Sequence, residues 1–205
     1  DIEVICNGFK TDDYLAKISD LINNGFENVI PVLDNYRELD KLTESIDTTF
    51  DIGIRIASEE EPKFEFYTSR LGIGYKDIIP YYSQKIAEHP NARLKMLHFF
   101  INTGIKDTAY YWNELYKCLR VYARLKKIAP EVDSLNIGGG FPIKTSLNFD
   151  YDYQYMVNEI VSQIKKFCEE EGVEEPNIYT EFGSFTVGES GGHLYKIISQ
   201  KRQND

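Results

Sequence analysis

The run Leu135-Asn136-Ile137-Gly138-Gly139-Gly140-Phe141-Pro142 holds the clearest chemical signal in the chain: a short apolar strand that enters three consecutive glycines and is stopped by a proline. Three adjacent glycines remove every Cβ from one tight turn, so backbone N–H groups can converge on an anion that side chains would keep away. That is the chemistry of a phosphate cradle. The plainer alternative is a flexible turn or a bulge, which glycines also mark. Other chemistry-bearing types are scattered. Cys6, Cys118 and Cys168 form an odd set without a C-x-x-C pair, and read as small buried hydrophobes in a reducing compartment rather than disulfides or zinc ligands. His89, His98 and His193 are equally dispersed, and no metal cluster emerges.

The elements that must position this loop alternate at a regular beat. Glu3-Val4-Ile5-Cys6 reads as a strand leading to Asn7-Gly8, after which Thr11, Asp12 and Asp13 supply an N-cap and an acidic first turn. The helix that follows carries Leu15, Ile18, Leu21 and Ile22 on one face and ends at Gly25. Next come a strand over 28–33, a helix with Leu39, Leu42 and Ile46, and a third strand over 50–56. Ser58-Glu59-Glu60-Glu61-Pro62-Lys63 reads as a solvated loop. A helix through Ile78 to Ala87 closes at His89-Pro90, and Leu94 to Ile101 forms a fourth strand. A long helix from Thr108 to Ile128 buries Trp112, Leu115, Leu119 and Tyr122 and stops before Pro130. The triple-glycine strand is fifth. A helix with Tyr153, Met156, Ile160, Ile164 and Phe167 leads from Asp150 toward Gly172, and 177–181 is the sixth strand.

Strands that are short, apolar on both faces and separated by helices predict a parallel sheet. Six βα repeats suit an open doubly wound sheet or an incomplete (β/α)₈ barrel. An open sheet usually carries its glycine fingerprint after the first strand, whereas barrel phosphate sites favour the loops after late strands. The expectation is therefore an α/β chain forming a TIM barrel that lacks two strands, or roughly 60 to 70 residues.

The chain has 205 residues with 23 Lys+Arg against 33 Asp+Glu, a formal charge of −10. That balance argues against nucleic acid or an anionic membrane as partner. A 42% hydrophobic, 14% aromatic composition suits a folded domain. No signal-peptide pattern and no apolar run of about 18 residues is present. The expected setting is soluble and cytoplasmic.

Five segments, in order, carry a resemblance. Ile5-Cys6-Asn7-Gly8-Phe9-Lys10 is similar to Ile-Cys-Asn-Gly-Tyr-Lys, and Ser69-Arg70-Leu71-Gly72-Ile73 to Ser-Lys-Phe-Gly-Leu. Leu97-His98-Phe99-Phe100-Ile101-Asn102-Thr103 is similar to Leu-His-Phe-His-Leu-Gly-Ser, the Gly138–Gly140 loop to Gly-Gly-Gly, and Glu181-Phe182-Gly183-Ser184 to Glu-Ser-Gly-Arg or Glu-Pro-Gly-Arg. Together they resemble the alanine-racemase-fold, pyridoxal-phosphate-dependent decarboxylases of basic amino acids, and within them most closely the biosynthetic arginine decarboxylase branch. The resemblance spans nearly the whole chain.

It implies pyridoxal 5'-phosphate as cofactor, with Glu181 facing the pyridine nitrogen and keeping it protonated. It also implies that Gly138, Gly139, Gly140, Gly183 and the Thr103 hydroxyl hold the phosphate. Backbone N–H groups suit that charge, and the end of a late strand is where barrel chemistry occurs. Phe100 stands where the family has a histidine stacked on the cofactor; a phenyl ring still stacks but carries no proton. Ser184 stands where the family has a phosphate-binding arginine, so a bidentate cation gives way to a hydroxyl. Asn102, in place of a glycine, offers an amide donor in compensation. His98 shares a strand face with Phe100 and is either a pocket residue or a satisfied core histidine.

The resemblance further implies a Schiff-base lysine and a second-domain cysteine that no residue here matches; Lys10, just past the strand matching the family's third, is not a candidate. The expectation is a partial barrel over 1–190, with 191–205 as a severed connection toward a further domain, inactive by itself. In the intact protein the implied reaction converts arginine to agmatine in polyamine biosynthesis. Ornithine, diaminopimelate and carboxynorspermidine are alternative substrates, and a non-catalytic regulatory relative is an alternative of another class. The implied assembly is a homodimer or higher homo-oligomer.

Overall fold

The computed structural model describes residues 2–58, 71–101, 104–144, 149–192 and 194–199. Its strands are β1 (Val4–Cys6), β2 (Val29–Leu33), β3 (Phe50–Ala57), β4 (Ile73–Gly74), β5 (Ala92–Phe99), β6 (Ser134–Asn136) and β7 (Asn177–Tyr179). Its helices are α1 (Asp12–Asn23), α2 (Tyr36–Ser45), α3 (Ile78–Gln84), α4 (Ala109–Lys126), α5 (Tyr153–Glu171) and α6 (Gly183–Val187), with a 3₁₀ turn at Ile86–Glu88.

The sheet runs β1-β2-β3-β5-β6-β7, every pair parallel, with two-residue β4 paired to β3 off this path. Strand order that follows chain order throughout is that of a barrel; a doubly wound sheet reverses at a switch point. The six expected strands are all present and the incomplete barrel is the architecture. The sheet curls far enough for its two ends to touch: Tyr179 on β7 donates its hydroxyl to Glu3 beside β1, and Asn7 after β1 donates to Glu181 after β7.

One sheet face carries the apolar core. Val29, Leu33, Ile52, Ile54, Ile56, Leu97, Phe99 and Leu135 pack with Ile18, Leu42, Leu119 and Ile160 from the helices. Burial at about 25 cal/mol per Å² of apolar surface is what holds each helix to its strands. The opposite face, inside the curl, is mixed: Ile30, Val32 and Met96 are buried there, and Glu3, Asp51 and Lys95 form a charged layer in which Lys95 Nζ lies 2.9 Å from Glu3 Oε1. Between Ile52↔Leu94 and Gly53↔Met96 the register shifts by one residue, making Lys95 the bulged position.

Local signals set the helix ends. Thr11, Thr108 and Asp152 accept N-cap bonds from the N–H groups of Tyr14, Tyr111 and Tyr155, and Gly172 ends α5 with φ 65°. Several expectations are corrected. Helix α1 ends at Asn23, two residues before Gly25. Leu21 is exposed while Ser19 is buried, because the buried stripe follows 15, 18, 19 and 22. Trp112 is half-buried, its Nε1 donating to Asp107 at 2.7 Å, whereas Glu114 is fully buried. The helix from Ile78 breaks into 3₁₀ geometry after Gln84, and β5 covers Ala92–Phe99 rather than 94–101. Strand β4 and helix α6 are too short to leave a periodic signal. The charge run at 59–63 lies outside the described residues. Among the described residues no helix is long and apolar enough to cross a membrane.

Candidate functional site

Parallel strands present their C-terminal ends on one side, and register places Arg55 (β3), His98 (β5) and Asn136 (β6) in one row across the inner face. Glu181 closes that row two residues past β7. Its Oε1 accepts from Asn136 Nδ2 at 2.8 Å and from Asn7 Nδ2 at 2.9 Å, while its backbone N–H donates to the Gly138 carbonyl at 2.8 Å. Each asparagine is held in turn: Asn136 Oδ1 accepts from Gly138 N–H at 2.8 Å, and Asn7 Oδ1 from Gly8 N–H at 2.9 Å. The carboxylate is thus pinned at one oxygen. Its side chain stays 42% exposed, and Oε2 meets no hydrogen-bond donor among the described residues.

The glycine loop is shaped by close backbone approach. A Cβ on Gly139 would lie 2.2 Å from the Glu181 carbonyl oxygen, and one on Gly140 would lie 2.8 Å from Gly104 Cα. Gly138 and Gly140 also take φ of 68° and 107°, where an L side chain is strained. The Gly138 N–H is spent on Asn136, whereas those of Gly139 and Gly140 meet no acceptor among the described residues. Those two amides are what the loop can offer an anion. Gly140 and Ser184 line a cavity of about 870 Å³ together with Phe141, Tyr151 and Met156.

Electrostatically the row is tense. Arg55 lies over the Phe100 ring at 5.8 Å from its centroid; burial lowers its pKa, opposed by Asp34 and Glu181. Burial, then the Glu38 charge, pushes the Asp34 carboxyl up, and Asp34 Oδ1 is buried without a partner among the described residues. His98 is buried with Nε2 at 3.8 Å from Glu181 Oε1, and burial pushes its pKa down to about 4 against the pull of Glu181. Lys10 is also buried, and its amine is fully engaged. Its ammonium is taken up by Glu38 Oε2 at 3.0 Å, by Gly8 O at 2.9 Å and by Val32 O.

The structure brings Phe100, Gly138, Gly139, Gly140, Glu181, Gly183 and Ser184 to one end of the sheet. Gly183 opens α6 with its N–H on the Glu181 carbonyl, and the Phe100 ring lies against Gly138. Thr103 and Asn102 lie outside the described residues. Sequence reasoning passed over Asn136 as a partner of Glu181 and over Asp34 beside Arg55. For Asn136 a signal existed: a polar amide flanked by apolar residues, two residues before the first glycine and at the last position of its strand.

Comparison with known proteins agrees with this fold. Residues 3–188 match the family described as pyridoxal-dependent decarboxylase, pyridoxal binding domain. A biosynthetic arginine decarboxylase of Citrifermentans bemidjiense is 25% identical over 98% of this chain, which spans 34% of that relative's length. Among solved structures, the biosynthetic arginine decarboxylase of Campylobacter jejuni superposes with a TM-score of 0.69 at 22% identity, covering 89% of this chain and 31% of that one. The lysine decarboxylase of Selenomonas ruminantium gives 0.69 at 19% identity, covering 89% and 44%. These similarities in structure show the shared fold. The match across 3–188, on a parallel barrel sheet with its glycine loop and carboxylate at the C-terminal strand ends, makes this chain a member of the pyridoxal-dependent decarboxylase family, of which it carries the pyridoxal binding domain.

Proposed function

We propose that this chain is the cofactor-binding barrel portion of a pyridoxal-phosphate-dependent amino-acid decarboxylase acting on arginine. The observation that carries the reading is the Glu181 carboxylate, pinned through Oε1 by Asn7 and Asn136 with Oε2 left open at the strand ends. An acceptor held in this way suits a protonated ring nitrogen. When bound, pyridoxal phosphate supplies an electron sink for the pair left behind as carbon dioxide departs. Glu181 would hold the ring proton at Oε2. The N–H groups of Gly139 and Gly140, with the Ser184 hydroxyl and Thr103, would hold the phosphate, and Phe100 would cover one face of the ring; Gly183, its N–H on the Glu181 carbonyl, would shape the turn that brings Ser184 there. Lys10 stays in its ion pair with Glu38 and keeps the β1 and β2 ends in place. Residues 1–190 form the barrel portion, a boundary supported by the match ending at 188. Arginine as substrate is supported by the names of the curated relatives, of whose length the chain spans about a third, 34%.

The test is the full-length protein loaded with pyridoxal phosphate and assayed for carbon dioxide release from arginine, ornithine, lysine and diaminopimelate. Release from arginine above the others is expected; preference for another of them reassigns the substrate. A second reading, a non-catalytic regulatory relative, is favoured by Phe100 and Ser184 in place of the family's histidine and arginine. Tight cofactor binding without release from any of the four would establish it.

A further inference from the structure

His98 is the least explained group of the site. Its side chain is 1% exposed and neither Nδ1 nor Nε2 has a hydrogen-bond partner among the described residues. A neutral imidazole carries one donor and one acceptor, and burying both unpaired is costly, so a partner within reach is expected. Among the described residues three polar groups face it. Arg55 on β3 carries donors only and cannot accept the ring N–H. Asn136 on β6 has its oxygen on Gly138 and its amide on Glu181. Glu181 remains, with Oε1 3.8 Å from Nε2. Of this pair the carboxylate has the more room to shift, its Oε1 carrying the two amide bonds with it, since its side chain is 42% exposed while the imidazole is enclosed.

We propose that His98 is a positioning residue for Glu181: its neutral ring donates from Nε2 to Oε1 once the carboxylate swings inward, and this third donor aims Oε2 at a ring N–H in the barrel mouth. The swing needed is under about 1 Å, judged against a hydrogen bond of about 2.9 Å. Neutrality is essential to the role. An imidazolium would compensate the negative charge of Glu181 and compete with a cationic ring for it, whereas a neutral N–H orients the carboxylate and leaves its charge available. Burial pushes the His98 pKa down to about 4 against the pull of Glu181, with Arg55 acting in the same sense as burial.

This inference rests on the cofactor reading above, and the experiment separates the two. Pyridoxine 5'-phosphate, which lacks the aldehyde and forms no adduct with lysines, is titrated calorimetrically into the chain beside the analogue in which carbon replaces the ring nitrogen. The wild-type chain is expected to prefer the nitrogen compound. His98→Met is expected to reduce that preference about tenfold, the scale of one hydrogen bond to a charged group, with affinity for the carbon analogue unchanged. His98→Gln, which retains a side-chain N–H donor, is expected to restore it. An unchanged preference in His98→Met overturns the positioning role alone. Equal binding, or no binding, by the wild type overturns the cofactor reading and this role with it. Should His98→Met not fold, ¹⁵N spectra of the wild-type histidines decide. The Nε2 resonance of His98 is expected to be that of the protonated nitrogen and to move on adding pyridoxine 5'-phosphate, but not in Glu181→Gln; a stationary resonance overturns the proposal.

Discussion

Glu181 and Gly139 are neighbours with different duties, and substitution separates them. Glu181→Gln keeps an oxygen for Asn7 and Asn136 but removes the charge that favours a protonated ring. In the full-length protein with cofactor occupancy confirmed, kcat is expected to fall by about 10² to 10³, the scale of losing one organising electrostatic contact, with KM changed less. An unchanged kcat would remove Glu181 from the proposed role. Gly139→Ala acts on the frame instead. The new methyl would stand 2.2 Å from the Glu181 carbonyl, and relieving that overlap is expected to cost about 1–3 kcal/mol in urea unfolding. It would also displace the carboxylate that the carbonyl's residue carries.

At the scale of elements, glycines that look alike in sequence differ in what they do. Gly172 ends α5 in the left-handed region with φ 65°, and a Cβ there meets nothing within 4 Å. Gly172→Ala is therefore expected to cost only the conformational penalty of about 1–2 kcal/mol. Gly72, with φ 96°, lies where a Cβ would come within 2.7 Å of the Ala57 nitrogen, at the junction of β3 and β4. Gly72→Ala adds a backbone clash to the same penalty. Thermal unfolding of the two variants is expected to show the larger fall in Tm for Gly72→Ala; equal falls would show that the β3–β4 contact contributes nothing.

For the molecule as a whole, the buried imidazole sets part of the pH dependence. Burial first, and Arg55 with it, hold the His98 pKa at about 4 against an ordinary 6.5, while Glu181 pulls the other way. As pH falls through 6.5 the unfolded chain takes up a proton that the folded chain refuses until about 4. The contribution of His98 is thus intact above pH 6.5 and is lost on acidification across that window, by about 3 kcal/mol in total. Urea unfolding at pH 7.5 and pH 5 should show a larger loss for the wild type than for His98→Gln; parallel losses would place the proton elsewhere. The whole surface matters too. Leu194, Ile197 and Ile198 are each at least 85% exposed, and uncovered apolar side chains of this kind favour association. Sedimentation velocity is expected to show concentration-dependent self-association that Leu194→Glu with Ile198→Glu weakens. A wild-type monomer at all concentrations would contradict this.

What the sequence determined by itself was local in origin. Alternating apolar runs marked six parallel strands, Thr11 and Thr108 marked helix starts, and the position of the glycines after a late strand argued for a barrel over an open sheet. Those signals act within a few residues, so propensity, capping and periodicity reveal them. The buried face of α1 was misjudged at Leu21 and Ser19 because a one-residue rotation is decided by the partner surface. The site was legible only in part. Gly138 to Gly140 and Glu181 stood out as types, but the two amides that pin the carboxylate lie 174 and 45 residues from it in sequence. Sheet curl decides the first contact and strand register the second. Burial decides the rest: the same fold that locks Lys10 into an ion pair with Glu38 leaves His98 beside Glu181 with two nitrogens unpaired among the described residues. Chemistry at the barrel mouth depends on distances between separate strands, and only the packed sheet sets those.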